Sequence, residues 1–167
     1  MTSESIPQSD LKLVTDATRH EVVKTFCGHC GREADMVEGS PSRVCPKCGL
    51  GLLLGAPADV APRPGDPFLI VDGSLAICAL SRQAEKLLGA QETDAVNRHV
   101  ADFLVPGHAE APTSENLAAL ITWAARGDAP SRSVIVRPAN TFGVRYWARI
   151  GPCGPPTAAL VVLADAR

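Results

Sequence analysis

Asp66-Pro-Phe-Leu-Ile-Val-Asp-Gly-Ser-Leu-Ala-Ile-Cys-Ala-Leu-Ser-Arg-Gln-Ala-Glu-Lys-Leu-Leu-Gly89 is the stretch that decides the fold. Phe68 to Val71 is a short apolar run of the kind that forms a buried strand, ended by the turn residues Asp72-Gly73-Ser74. Leu75 to Ala79 reads as a second strand, and the tight Asp-Gly turn between the two predicts an antiparallel hairpin. Ser81 then stands where a helix cap belongs, Ala84, Leu87 and Leu88 share one helical face, and Gly89 supplies the stop.

Downstream, Asp94 to Leu104 predicts another short helical stretch, with Val96, Val100, Phe103 and Leu104 on its apolar side and Pro106-Gly107 breaking it. Thr113 or Ser114 is placed to cap a longer helix through Ala125, in which Leu117, Leu120, Ile121 and Ala124 repeat at the spacing of a buried face. Three strands close the chain: Arg132 to Arg137, Gly143 to Ile150 and Ala158 to Ala164. The last is almost wholly apolar and so central in the sheet. Two strands, several helices and three strands indicate an α+β domain, an antiparallel sheet with helices on one face.

Upstream lies a different signal. Cys27-Gly-His-Cys30 and Cys45-Pro-Lys-Cys48 are two C-x2-C pairs with fourteen residues between them. Each such turn directs two sulfurs at one ion, and two turns supply the four thiolates of a tetrahedral zinc site, here Cys27, Cys30, Cys45 and Cys48. Gly31 and Gly49 follow the second cysteine of each pair, where a left-handed backbone is easiest. The apolar residues around them (Phe26, Met36, Val37, Val44 and Leu50 to Leu54) are too few for an independent core, so a structural zinc substitutes for one. A thiol–disulfide role for a C-x2-C pair is the competing chemistry. Redox motifs occur singly beside a βαβ pattern, however, and this chain has two matched pairs and no such pattern. Four thiolates also leave no open coordination position for catalysis.

The expected organisation is a polar tail over 1–19, a zinc ribbon over 20–55, a proline-rich linker over 56–66 and a sheet domain over 67–167. Gly55 to Pro67 holds four prolines and two glycines in thirteen residues, a density that reads as a semi-rigid spacer. The net charge of −2 argues against nucleic-acid binding by charge alone. So does the ribbon, where Lys24, Arg32, Arg43 and Lys47 are matched by Glu21, Glu33, Asp35 and Glu38. The first residues carry no basic flank or apolar core, and the apolar runs are too short for a bilayer; the expectation is a cytoplasmic protein without a membrane segment. Cys78, in an apolar strand, is expected to be inert packing, and Cys153, in a Gly-Pro turn, to be more exposed. Trp123 and Trp147 are candidates for core or dimer surface. No Ser/His/Asp grouping, phosphate loop or supported carboxylate pair is present, so no catalytic residue is expected and the chain reads as a non-enzyme.

The hairpin and its Ser81-Arg-Gln-Ala-Glu-Lys-Leu-Leu-Gly89 helix, with Asp102-Phe103-Leu104 ahead of the longer helix and three closing strands, resemble the PAS domain family of sensory modules over about residues 66–165. The resemblance implies a five-stranded PAS-like antiparallel sheet with helices on one face. It also implies a pocket between sheet and helices, a homodimer through this domain, and a cytosolic signal-sensing or regulatory role exercised through protein partners. The flavin-photosensor subgroup carries an Asn-Cys-Arg-Phe-Leu motif that is absent here. The haem-binding subgroup uses a histidine on the helix before the third strand, and residues 114–125 contain none. Haem and flavin are therefore disfavoured, and His99 and His108 read as solvated. The second reading is a transcription-associated ribbon that contacts nucleic acid or the transcription machinery; an oxidoreductase using the cysteine pairs is the least favoured.

Overall fold

The structure is a computed structural model, which describes residues 22–35, 42–107, 116–127 and 130–165. The expected tail, His20, Met36, Val37, His108, Thr113 and Ser114 lie outside the described residues. Two sheets are present among those described. Strands β1 (Val23–Cys27) and β2 (Leu53–Pro57) form an antiparallel pair that carries the ribbon.

The larger sheet contains β3 (Phe68–Val71), β4 (Ile77–Leu80), β5 (Leu104–Pro106), β6 (Arg132–Pro138), β7 (Tyr146–Cys153) and β8 (Ala158–Asp165), in the order β4-β3-β8-β7-β6-β5. All its pairings are antiparallel. Helices α1 (Arg82–Leu88), α2 (Glu92–Ala95) and α3 (Leu117–Ala125) interrupt the strands in sequence.

The local chemistry explains most of these elements. The Ser81 hydroxyl accepts the Ala84 N–H and also the Phe68 N–H, so the buried cap of α1 is tied to the first strand of the sheet. Gly89 ends α1 in the left-handed region. The β3–β4 connection is closed by Asp72, whose Oδ1 accepts from the Ser74 N–H, the Ser74 hydroxyl and the Ala76 N–H. Helix α3 starts at Leu117 with Asn116 as its cap, its side chain accepting the Ala118 N–H. The expected buried face of Leu117, Leu120, Ile121 and Ala124 is buried.

The sheet has six strands, not five. Leu104–Pro106, expected as the end of a helix, pairs with β6 at the sheet edge. The expected helix over 94–104 is broken at Val96 and Asn97: Val96 leaves helical geometry and Asn97 is left-handed. Only a 3-10 turn, Val100–Asp102, follows. A three-residue strand is too short for alternation to reveal, and its Pro106 is tolerated because the strand lies at an edge.

β8 is central, between β3 and β7. Its Ala159, Val161 and Leu163 face the helices, in one core with Leu69, Val71, Leu120 and Ile121. Its Ala158, Leu160 and Val162 face the other way and pack with Phe26, Leu54, Ala56, Val60 and Ala61. The ribbon and the proline-rich stretch thus cover the face of the sheet opposite the helices. β2 runs on to Pro57, past the expected ribbon boundary, and Val60 and Ala61 are buried in the shared core. Gly55 and Gly154 exchange backbone hydrogen bonds of 2.7 and 3.0 Å, joining the outer edge of β2 to the end of β7. Arg149 on β7 donates to the Asp59 carbonyl at 3.3 Å and to Asp66 Oδ2 at 3.5 Å, fastening the same stretch from below. Phe26 meets Phe68 edge to face, with ring centroids 5.7 Å apart, a geometry that adds roughly 0.5–1.5 kcal/mol beyond burial.

Candidate metal centre

The two C-x2-C turns are built by the backbone before any metal is considered. In the first, the Gly31 N–H donates to the Cys27 carbonyl at 2.9 Å; in the second, the Gly49 N–H donates to the Cys45 carbonyl at the same distance. Gly31 and Gly49 have φ values of 69° and 68°, the left-handed conformation expected of them. The Gly28 N–H donates to the Leu52 carbonyl and the Cys45 N–H to the Gly51 carbonyl, which bring the turns face to face.

All four sulfurs lie within 4.8 Å of one another. Cys27 and Cys48 are 3.6 Å apart at sulfur, Cys30 and Cys45 4.0 Å. A tetrahedral ion with zinc–sulfur bonds of about 2.3 Å separates its ligands by about 3.8 Å, midway between those two distances. They are far beyond the roughly 2.05 Å of a disulfide. The sulfurs also receive the donors a thiolate needs: the His29 and Cys30 N–H groups reach Cys27 Sγ at 3.4 Å, and the Gly51 N–H reaches Cys48 Sγ at 3.5 Å. The donor set therefore fits zinc. When bound, the ion supplies four metal–sulfur bonds to a module whose apolar cluster, among the described residues, is Ala34, Leu53 and the cysteines.

As thiols, the four are unequal. Burial pushes Cys27 up to about 12. Cys48, although burial acts to raise it, is brought down to about 6 by the Gly51 and Leu50 N–H groups and by the neighbouring thiols of Cys27 and Cys45.

Sequence reasoning finds the four clustered cysteines but not Gly51. A Cβ at Gly51 would stand 2.4 Å from Cys27 Sγ and 2.7 Å from His29 Cβ, so only glycine lets the second turn close on the first. No spacing rule marks that position.

The remaining candidates fall elsewhere. His29, next to the quartet, pairs through Nδ1 with Glu92 Oε2 at 3.3 Å, linking the first turn to the start of α2. His99 caps the 3-10 turn, its Nδ1 accepting the Ala101 N–H. Cys78 and Cys153 exchange their expected environments. Cys153 is 5 % exposed, the last residue of β7 in the shared core, and burial pushes its thiol up to about 12. Cys78 is exposed, because the β3–β4 register shifts between Ile70 and Val71 and leaves it as the unpaired residue of a bulge. Trp123 and Trp147, 50 % and 42 % exposed, are surface residues on α3 and β7.

No family model matches this chain, and no curated protein does. Among solved structures, the chain is similar to the PAS domain of nitrogen regulation protein NR(II) from Vibrio parahaemolyticus. The likeness has 17 % identity and a TM-score of 0.44, over 60 % of this chain and 89 % of that one. No helix among the described residues is long and apolar enough to cross a membrane.

Proposed function

We propose that the protein is a non-enzymatic regulatory module, a PAS-like sensing domain whose sheet carries a zinc ribbon and whose output passes through contacts with other proteins. The observation that supports this reading is the arrangement of the sheet. The hairpin β3–β4, the short capped helix α1, the longer helix α3 and three closing strands occur in the order that the PAS resemblance implies, with the helices confined to one face. The zinc serves structure: four thiolates complete its shell, so its bonds hold the ribbon and activate no water. A homodimer through the sheet domain is part of this reading, and exposed Trp147 on β7 is a contact residue for it.

The test is cross-linking of the tagged full chain in its native cells. The reading expects specific protein adducts. Their absence, or a catalysed turnover in the purified chain, contradicts it.

One observation favours a second reading, a transcription-associated ribbon that contacts nucleic acid. Arg32, Lys47 and Arg82 line a cleft of about 510 Å³ beside Cys30 and Cys48, with Asp66 its one carboxylate. Three cations against one carboxylate attract phosphate there and offset the net −2 that a zinc with four thiolates places beside them. Binding of duplex DNA that weakens steeply between low and physiological salt would promote this reading over the first.

A further inference from the structure

On the other side of the zinc turns lies a groove of about 570 Å³, formed where the ribbon meets the sheet. Leu50, Leu52 and Leu54 line it from the ribbon, and Ile70 and Ala79 from β3 and β4. This is the sheet face away from α3, with the start of α2 at its rim, and it is distinct from a pocket between sheet and helices. Leu50 and Leu52 are 72 % and 48 % exposed, an unusual placement for two leucines two residues apart beside an apolar groove.

The charged groups that line the groove are Asp72, Glu92 and His29; no lysine or arginine does so among the described residues. Glu92 is fully engaged, its Oε1 accepting the Leu80 N–H at 3.1 Å and its Oε2 paired with His29. Asp72 is not. Its Oδ1 takes all three turn hydrogen bonds, and its Oδ2 has no partner among the described residues. The Ser74 hydroxyl above all, with the Ala76 and Ser74 N–H groups, holds the Asp72 carboxyl below its ordinary value against the opposing effect of burial, so it is ionised at neutral pH.

We infer that this groove docks a short apolar segment of a partner protein carrying one lysine or arginine, whose cation meets Asp72 Oδ2 while its apolar side chains cover Leu50 and Leu52. The charge complementarity selects the basic residue. The exposed leucines select a polypeptide over a small molecule, because a small ligand held within the groove leaves them wet, whereas a segment laid across it buries them. Nucleic acid is repelled by the same two carboxylates. The inference deepens the regulatory reading, since it names the surface and chemistry of the protein contact on which that reading rests.

The test uses the zinc-loaded full chain as bait for a random peptide library displayed on phage. Enriched peptides should combine apolar residues with a lysine or arginine. Leu50→Asp should weaken a selected peptide about tenfold or more, as expected for a buried anchor position. Asp72→Asn should erase the difference between that peptide and its Lys→Met analogue. Phe142→Ser, on an exposed site outside the groove, should change nothing. Zinc content and far-UV circular dichroism establish that each variant is folded, and Leu52→Asp serves if Leu50→Asp is not. The inference is overturned by a library that yields no enrichment, by acidic consensus peptides, or by peptides indifferent to both leucine substitutions. It is also overturned if only a small hydrophobic amine such as tryptamine binds in an Asp72-dependent way. Cross-links in cells that survive Leu50→Asp unchanged would leave the regulatory reading standing and remove the groove from it.

Discussion

The central strand β8 is covered on its two faces by different means. On one side, α3 and its neighbours bury Ala159, Val161 and Leu163 in a core that includes more than a dozen other apolar residues. On the other, Ala158, Leu160 and Val162 are buried by a two-stranded ribbon and the proline-rich turn that follows it. The first cover has enough apolar surface of its own to persist. The second has less, because among the described residues behind Phe26 and Leu54 the ribbon has Ala34, Leu53 and four cysteines. On the proposed reading, a sheet face of this kind is secured at one remove: a metal on the four cysteines holds the ribbon, and the ribbon seals the sheet.

The strongest way to break that contrast is to remove a ligand. Cys45→Ser should abolish stoichiometric zinc binding and cost the ribbon most of its folding energy, on the order of 10 kcal/mol in isolated zinc modules. Elemental analysis together with amide protection over 23–57 checks this. A variant that retained one zinc per chain would show that three thiolates suffice.

Next in size is the joint between the two regions. Phe68 sits in the shared core against Phe26, with its ring also close to Gly31. Phe68→Ala should destabilise the chain by about 3–5 kcal/mol, read from denaturant midpoints. It should lower protection in the ribbon more than in α3; an equal loss on both sides would mean that the two covers are not separate.

Gly51→Ala addresses the metal centre without touching a ligand. Because its Cβ would press on Cys27 Sγ, zinc affinity should fall about 10–100-fold, the range seen when support around a ligand is lost. Competition against a chromophoric chelator measures it, with the sheet's helical core unchanged.

The smallest effect belongs to the β3–β4 hairpin. Asp72→Ala removes three accepted hydrogen bonds and should cost about 1–2 kcal/mol at neutral pH. The folded-state carboxyl lies below its ordinary value of 3.8. Its contribution is therefore complete above that value and is lost as pH falls through the lower folded-state one. The stability gap between wild type and variant should thus be constant from pH 7 to 5 and narrow below pH 4.

How much of this was legible in the sequence follows from the range of each interaction. The clustering of the four cysteines was, because each pair's geometry is set by residues three apart. The hairpin, the Ser81 cap, the Gly89 stop and the face of α3 were also legible, being local chemistry on a regular period. The attachment of the ribbon was not. Val60 and Ala61 sit among prolines, where density of turn residues reads as a spacer, and only the tertiary fold shows that both are buried in the shared core, Val60 under Gly151 on β7. Pro152 and Cys153 misled for the same reason. β7 continues past Ile150, where its pairing with β6 ends, so a proline is admitted on that free side. Cys78 was misplaced by a bulge, which shifts alternation by one residue and leaves no mark in composition.

Hydrogen exchange of the zinc-loaded chain, followed residue by residue before and after a strong chelator, tests the two-cover account most directly. The account predicts that chelation collapses protection in 23–57, partly lowers it in β8 through exposure of Leu160 and Val162, and leaves α3 and its facing strands protected. Unchanged protection of β1 and β2 after the zinc has gone would contradict it.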